Sequence, residues 1–199
     1  ARALVAEEEE FRAIEYTDAF DLTVVAIESD RLPTEQAAAE IAERTDVNPE
    51  GVYIAAFPTA SIAGSVSIAA RAAELALFRL FELGYDPTDV LTATGSAPMA
   101  PIPATEAEAM GRTNDAIAYG GQVHLTVRED ADVFADLPST ATDTYGTPFY
   151  QVFEDVGWDF GAVDPAVYAP AQVTVDVVGG PTYALGERDD AMLAESFDL

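Results

Sequence analysis

Residues 52–83 constrain this chain more than any other stretch. Val52-Tyr53-Ile54-Ala55-Ala56-Phe57 predicts a strand, Pro58 stops it, and Ser61 offers a hydroxyl as N-cap to a helix running to about Leu83, before Gly84. From Ile62 to Phe78 that helix carries only two charges, Arg71 and Glu74, in a chain otherwise thick with carboxylates, so burial is expected. At about 100° per residue, Gly64, Ser67, Arg71, Glu74 and Phe78 share one stripe. A guanidinium and a carboxylate on an apolar helix are either an ion pair that only satisfies itself or a place where chemistry is done.

Charge narrows the second reading. Asp and Glu number 36 against nine basic residues, every one of them Arg, for a net charge of −27. That sign argues against nucleic acid and against anionic membranes as partners. A folded chain so acidic repels itself, and the repulsion becomes tolerable where the Debye length shrinks from about 8 Å in ordinary salt to about 3 Å at 1 M. A salt-adapted cytoplasm fits better than one acidic patch for a basic partner, because the acids are spread along the whole chain. No apolar run approaches the length of a membrane span. Hydrophobic residues at 49% supply a sizeable core.

The rest of the chain reads as an α/β fold, with helices packed on a mostly parallel or mixed sheet. Leu22–Ile27 has the continuous apolar character of a strand buried on both faces, Pro33-Thr34 opens a helix over 35–44, and this βαβα order predicts a parallel sheet. Val90–Thr94 is a third strand. The loop Thr94–Pro103 follows, stiffened by Pro98, Pro101 and Pro103. Thr105 and Glu108 have capping-box spacing for a helix closed by Gly120-Gly121. Residues 122–128 alternate as a half-buried strand with His124 on the polar face. Residues 129–147 are acidic and turn-rich, the expected variable surface segment. Pro148 starts a short helix with Phe149, Val152 and Phe153 inward, and Trp158–Pro170 is an aromatic loop. Gly179-Gly180 joins a hairpin, and Asp189 caps a final helix. With no repeat and no flexible linker, residues 1–199 are expected to form one compact body.

Elimination shapes the chemistry. The chain has no Cys and a single histidine, His124, which leaves carboxylates as the proton-transfer groups. Burial raises a carboxylate's pKa and an adjacent Arg lowers it, so Arg71 beside Glu74 is a tunable pair. Gly111, inside a helix, marks close approach either of a ligand or of another helix. The hydroxyls and free amides of the Thr94–Pro103 loop either line a pocket or belong to a rigid connector. Asp189-Asp190, or Asp130 with Asp132, read as solvated acidic faces rather than a cation site. No P-loop, GxGxxG or HExxH occurs, and no metal site is expected.

Several longer motifs carry a resemblance. Pro58–Val66, the Arg71-x-x-Glu74 pair, Ala93-Thr94-Gly95-Ser96-Ala97-Pro98, Ala109–Ile117 with Tyr119-Gly120-Gly121, Asp164-Pro165, Ala169-Pro170-Ala171 and Glu195-Ser196-Phe197 resemble archaeal methenyltetrahydromethanopterin cyclohydrolases across nearly the whole chain. The resemblance implies water-driven opening of the methenyl bridge of a reduced pterin C1 carrier to its 5-formyl derivative. It implies a two-domain α/β fold with a pocket between the domains, a homotrimer, and no metal or other cofactor. Arg71 and Glu74 match the family's catalytic pair. Ser61, Ser65, Ser67, Thr94, Gly95, Ser96, Pro98, Arg112, Asn114 and Asp115 are then expected to bind substrate. Because family members extend well beyond Ala1-Arg2-Ala3-Leu4, the chain is expected to be the C-terminal portion, with the N-terminal part missing. Two other readings stand beside it: the same reaction on a folate carrier, and a non-catalytic pterin-binding or acidic interaction module.

Overall fold

The structure, a computed structural model, describes residues 1–199, and their contacts cluster into two units, Ala1–Thr59 and Ala60–Leu199.

In the first unit two short helices, α1 (Arg2–Val5) and α2 (Glu9–Ala13), precede strand β1 (Thr23–Glu28), helix α3 (Glu35–Thr45) and strand β2 (Val52–Phe57). The strands pair in parallel, Thr23 opposite Val52 and Glu28 opposite Phe57, with α3 as the crossover and packed on β2. Thr34 caps α3 by accepting from the Ala37 amide, and Asp46 ends it in the left-handed conformation. The expectation that the first strand is buried on both faces fails within this unit. Val24 is 65% exposed and Tyr53, its register partner, 58%, because two strands with one crossover helix bury only one side.

The second unit is built on a four-stranded mixed sheet ordered β3 (Val90–Ser96), β4 (Gln122–Val127), β5 (Gln172–Val177), β6 (Thr182–Gly186). Only the central pair is parallel, and both outer pairs are antiparallel. The strand after the long helical segment thus joins a different sheet from β1 and β2. The alternation read in 122–128 holds: Val123, Leu125 and Val127 are buried, whereas Gln122 and His124 face solvent.

The long helix expected over 62–83 is two helices, α4 (Ile62–Ala69) and α5 (Ala72–Glu82), broken at Ala70-Arg71. Nothing in Ala69-Ala70-Arg71-Ala72-Ala73 disfavours helix. The break follows from two packing surfaces. Ala72, Ala76 and Leu80 of α5 pack into a cluster with Val123, Leu125, Val173 and Val175 of the sheet. α4 instead packs against helix α6 (Glu106–Gly120), and its Ser65 hydroxyl donates to the Ala100 carbonyl at 2.9 Å. Two helical segments seated on different partners cannot both follow one axis.

A second core joins α6 to α7 (Phe149–Asp155) and α8 (Asp190–Ser196) through Ala116, Tyr119, Phe149, Phe153, Leu193 and Phe197. The capping box is present: Thr105 accepts from the Glu108 amide, and the Glu108 carboxylate accepts from the Thr105 amide. Gly111 resolves to helix packing, since a Cβ there would sit 2.9 Å from the Tyr150 Cβ. The acidic stretch 129–147 is no mere surface segment either. Its short turns bury Phe134, Leu137 and Ser139, and the Ser139 hydroxyl donates to the Ala118 carbonyl.

Candidate functional site

Arg71 occupies the break between α4 and α5 as N-cap residue of α5, and Glu74 lies in that helix's first turn. A carboxylate is favoured there by the exposed amides of the helix start. The two side chains meet as a fork: Arg71 Nε donates to Glu74 Oε2 at 3.0 Å and an Arg71 Nη donates to Glu74 Oε1 at 3.1 Å. The geometry is bidentate and fixes both planes. The dry setting expected of the pair is not found, because their side chains are 44% and 50% exposed in this chain. The guanidinium and carboxylate are held in place and remain open to an incoming ligand.

Three features surround the pair. Gly95, near the end of β3, lies against the start of α5 so closely that a Cβ on it would sit 2.7 Å from the Ala73 amide nitrogen. Ile68 and Leu75, which flank Arg71 by about one turn on either side, form a small buried cluster with Ile117 of α6. Ala97 and Tyr168 pack on that cluster. The first residue after β3 and a residue of the aromatic loop therefore converge on the helical stripe that carries Arg71. Arg71 also acts electrostatically on the Tyr168 phenol, whose pKa burial raises and the guanidinium lowers in part. Sequence reasoning passed over Tyr168, and its only signal was its place just before the Ala169-Pro170-Ala171 motif.

The other expected substrate contacts divide. Thr94 and Ser96 project from the opposite side of β3 to Gly95, into an open face of the sheet beside His124 and Gln122. That face carries a shallow cleft of about 450 Å³ lined by Thr94, Ser96, Gln122, His124, Gln172 and Thr174. His124 there contacts Asp176 at 2.6 Å, and Thr182 donates to the same carboxylate, which holds Asp176 below the usual carboxylate range. Ser61 caps α4, accepting from the Gly64 amide at 3.0 Å. Ser67 is half-buried on α4. Pro98 packs on Gly120, whose added Cβ would sit 2.7 Å from the proline ring.

The α6 residues are turned to internal work. Arg112 pairs with Asp198, and Asn114 donates to the Met110 carbonyl at 2.8 Å. Asp115 is only 2% exposed. It accepts from the Phe149 amide at 2.9 Å and from the Ser196 hydroxyl at 2.6 Å, and burial pushes its pKa up to about 6 against those bonds. Asp115 thereby binds α6 to the start of α7 and the end of α8, a role that a helical motif alone does not reveal.

Comparison with known proteins bears on what this arrangement does. A family model described as Cyclohydrolase (MCH) matches residues 1–197. The methenyltetrahydromethanopterin cyclohydrolase of Halobacterium salinarum is 56% identical over 199 residues, all of this chain and 64% of the relative. The enzyme of that name from Methanocella arvoryzae is 41% identical, covering 99% of this chain and 63% of its own length. That from Methanothermobacter marburgensis is 38% identical, covering 100% and 65%. The chain thus spans about 64% of the length of the first of these relatives. A family match across nearly every residue, with the Arg71–Glu74 fork at an accessible helix start, leads to one conclusion: the chain belongs to the cyclohydrolase (MCH) family.

Proposed function

We propose that this chain carries the reacting pair of a hydrolase that opens the methenyl bridge of a reduced pterin C1 carrier, converting 5,10-methenyl-tetrahydromethanopterin and water to the 5-formyl compound. The observation that carries the reading is the bidentate Arg71–Glu74 fork, open to solvent at the start of α5. The methenyl bridge is an amidinium cation. A fixed carboxylate stabilises that cation and accepts a proton from the attacking water. The water oxygen bonds to the bridge carbon, one of the two carbon–nitrogen bonds breaks, and the freed nitrogen gains a proton. The balance is one proton released per turnover. Arg71 holds Glu74 in one orientation through two parallel hydrogen bonds, so the base is positioned before substrate arrives.

Gly95 and the loop after β3 form one wall of this site. Thr94 and Ser96, on the sheet's open face, are placed to hold outlying polar parts of the carrier. Arg112, Asn114 and Asp115 support the site through the α6–α7–α8 packing rather than by contact. The homotrimer implied by the resemblance is part of the same reading, and sedimentation in molar KCl tests it. A second reading, in which these residues bind pterin without turnover, draws on the half-exposed setting of the pair, since solvent weakens a carboxylate's hold on a cation.

Loss of the methenyl chromophore decides between the readings. It is followed in molar salt with the 199-residue chain and with a protein extended to the relatives' length, using methanopterin and folate carriers in turn. Glu74→Gln is expected to lower kcat by about 10²-fold or more with an unchanged melting midpoint. A fully active Glu74→Gln protein refutes the role of the pair.

A further inference from the structure

We propose that Tyr168 is a third ligand-contacting group of this site, donating its phenol hydrogen to the oxygen that the reacting carbon acquires from water. The inference rests on the hydrolase reading above. Tyr168 ends a short turn over Pro165–Val167, which is fixed by the Asp164 side chain accepting from the Ala166 amide at 2.9 Å. Its ring lies 5.7 Å from that of Phe149 and packs on the Ile68–Leu75–Ile117 cluster, so the aromatic body is held on both sides. Ile68 and Leu75 bracket Arg71 on the helical stripe: the Arg71 amide donates to the Ile68 carbonyl and the Leu75 amide to the Arg71 carbonyl, each at 2.9 Å. A ring seated there lies beside the segment that carries Arg71, in agreement with the electrostatic influence of Arg71 on the phenol.

The chemistry of the pair gives the hydroxyl a direction. Guanidinium offers donors only. Its field favours the phenol rotamer whose lone pairs face the cation and whose O–H proton points away. Burial raises the pKa of this phenol and Arg71 lowers it in part. A phenol is protonated at neutral pH, and burial reinforces that state. A neutral donor beside a fixed cation suits an oxygen that gains electron density during the reaction. The methenyl cation has no such oxygen at its reacting carbon, whereas the water adduct and the formyl product do. Tyr168 therefore stabilises the later species and leaves the substrate's ground state almost untouched.

The test is Tyr168→Phe, which retains the ring, in a protein of the relatives' length that carries this chain, assayed with 5,10-methenyl-tetrahydromethanopterin in molar KCl. The expected result is a fall in kcat of about tenfold, a substrate KM within about twofold, and inhibition by the 5-formyl product weakened in proportion to kcat. The melting midpoint stays within about 1 °C. Unchanged kcat overturns the proposal, and so does a loss of kcat matched by a lower melting midpoint, which assigns Tyr168 to packing alone. Glu74→Gln run in parallel separates the two levels. If it too is fully active, the hydrolase reading has failed. If it is inactive while Tyr168→Phe is intact, only the role of Tyr168 has failed.

Discussion

Asp115 is the residue whose environment most changes its chemistry. Its carboxylate is buried with two hydrogen-bond donors and no cation, and burial raises its pKa from 3.8 to about 6. Between those values the folded state holds the proton more tightly than the unfolded chain does. Stability therefore falls as pH rises from about 4 to about 6 and is level above that, by an amount on the order of 3 kcal/mol. Asp115→Asn removes this slope while keeping an acceptor for the Phe149 amide. Denaturant midpoints of the two proteins across that range are expected to differ in slope, and identical pH dependence sinks the assignment. Asp115→Ala strands the Phe149 amide and the Ser196 hydroxyl and is expected to cost about 2–3 kcal/mol near pH 4, where Asp115 keeps its proton. None of this was legible in Asn114-Asp115, where the residues look equally suited to a ligand. Arg71 and Glu74 were legible, because they are the only charges between Ile62 and Phe78 and stand three apart on one helix face. Their half-open setting was not, since exposure depends on what packs beside them.

At the scale of elements, caps and alternation carried over well. Thr34, Ser61, Thr105 and Asp189 each accept from a first-turn amide where the sequence placed them, and the hairpin across Gly179-Gly180 closes as expected. These are signals within a few residues, so the chain states them directly. The break at Ala70-Arg71 and the burial of Phe134 and Leu137 are settled by distant partners. Gly95 shows how tightly the elements are coupled at the site. A Cβ there meets backbone of Ala73 at 2.7 Å and 3.2 Å, and backbone cannot swing aside as a flexible side chain can. Gly95→Ala is expected to shift the start of α5, lower stability by about 1–3 kcal/mol and reduce turnover by more than that loss explains. A variant with native stability and native kcat in the same assay counts against this coupling.

For the whole molecule, charge governs conditions. With a net charge of −27, the folded chain gains from every reduction in Debye length. Lowering KCl from about 2 M to about 0.1 M, where the Debye length grows to about 10 Å, is expected to lower the melting midpoint by several degrees. Sucrose at matched water activity should not replace the salt if screening is the cause, and an unchanged midpoint in low salt contradicts it. No helix is long and apolar enough to cross a membrane. Composition, most helix starts, the alternating faces of residues 122–127, and the meeting of Arg71 with Glu74 followed from the sequence alone, because each depends on residues a few positions apart or on totals. Which sheet β3 joins, where the helix over 62–83 bends, which of the α6 polar groups turn inward, and that Tyr168 packs on Ile68 and Leu75 from nearly a hundred residues away were decided only by tertiary structure, because packing selects among partners that no local pattern ranks.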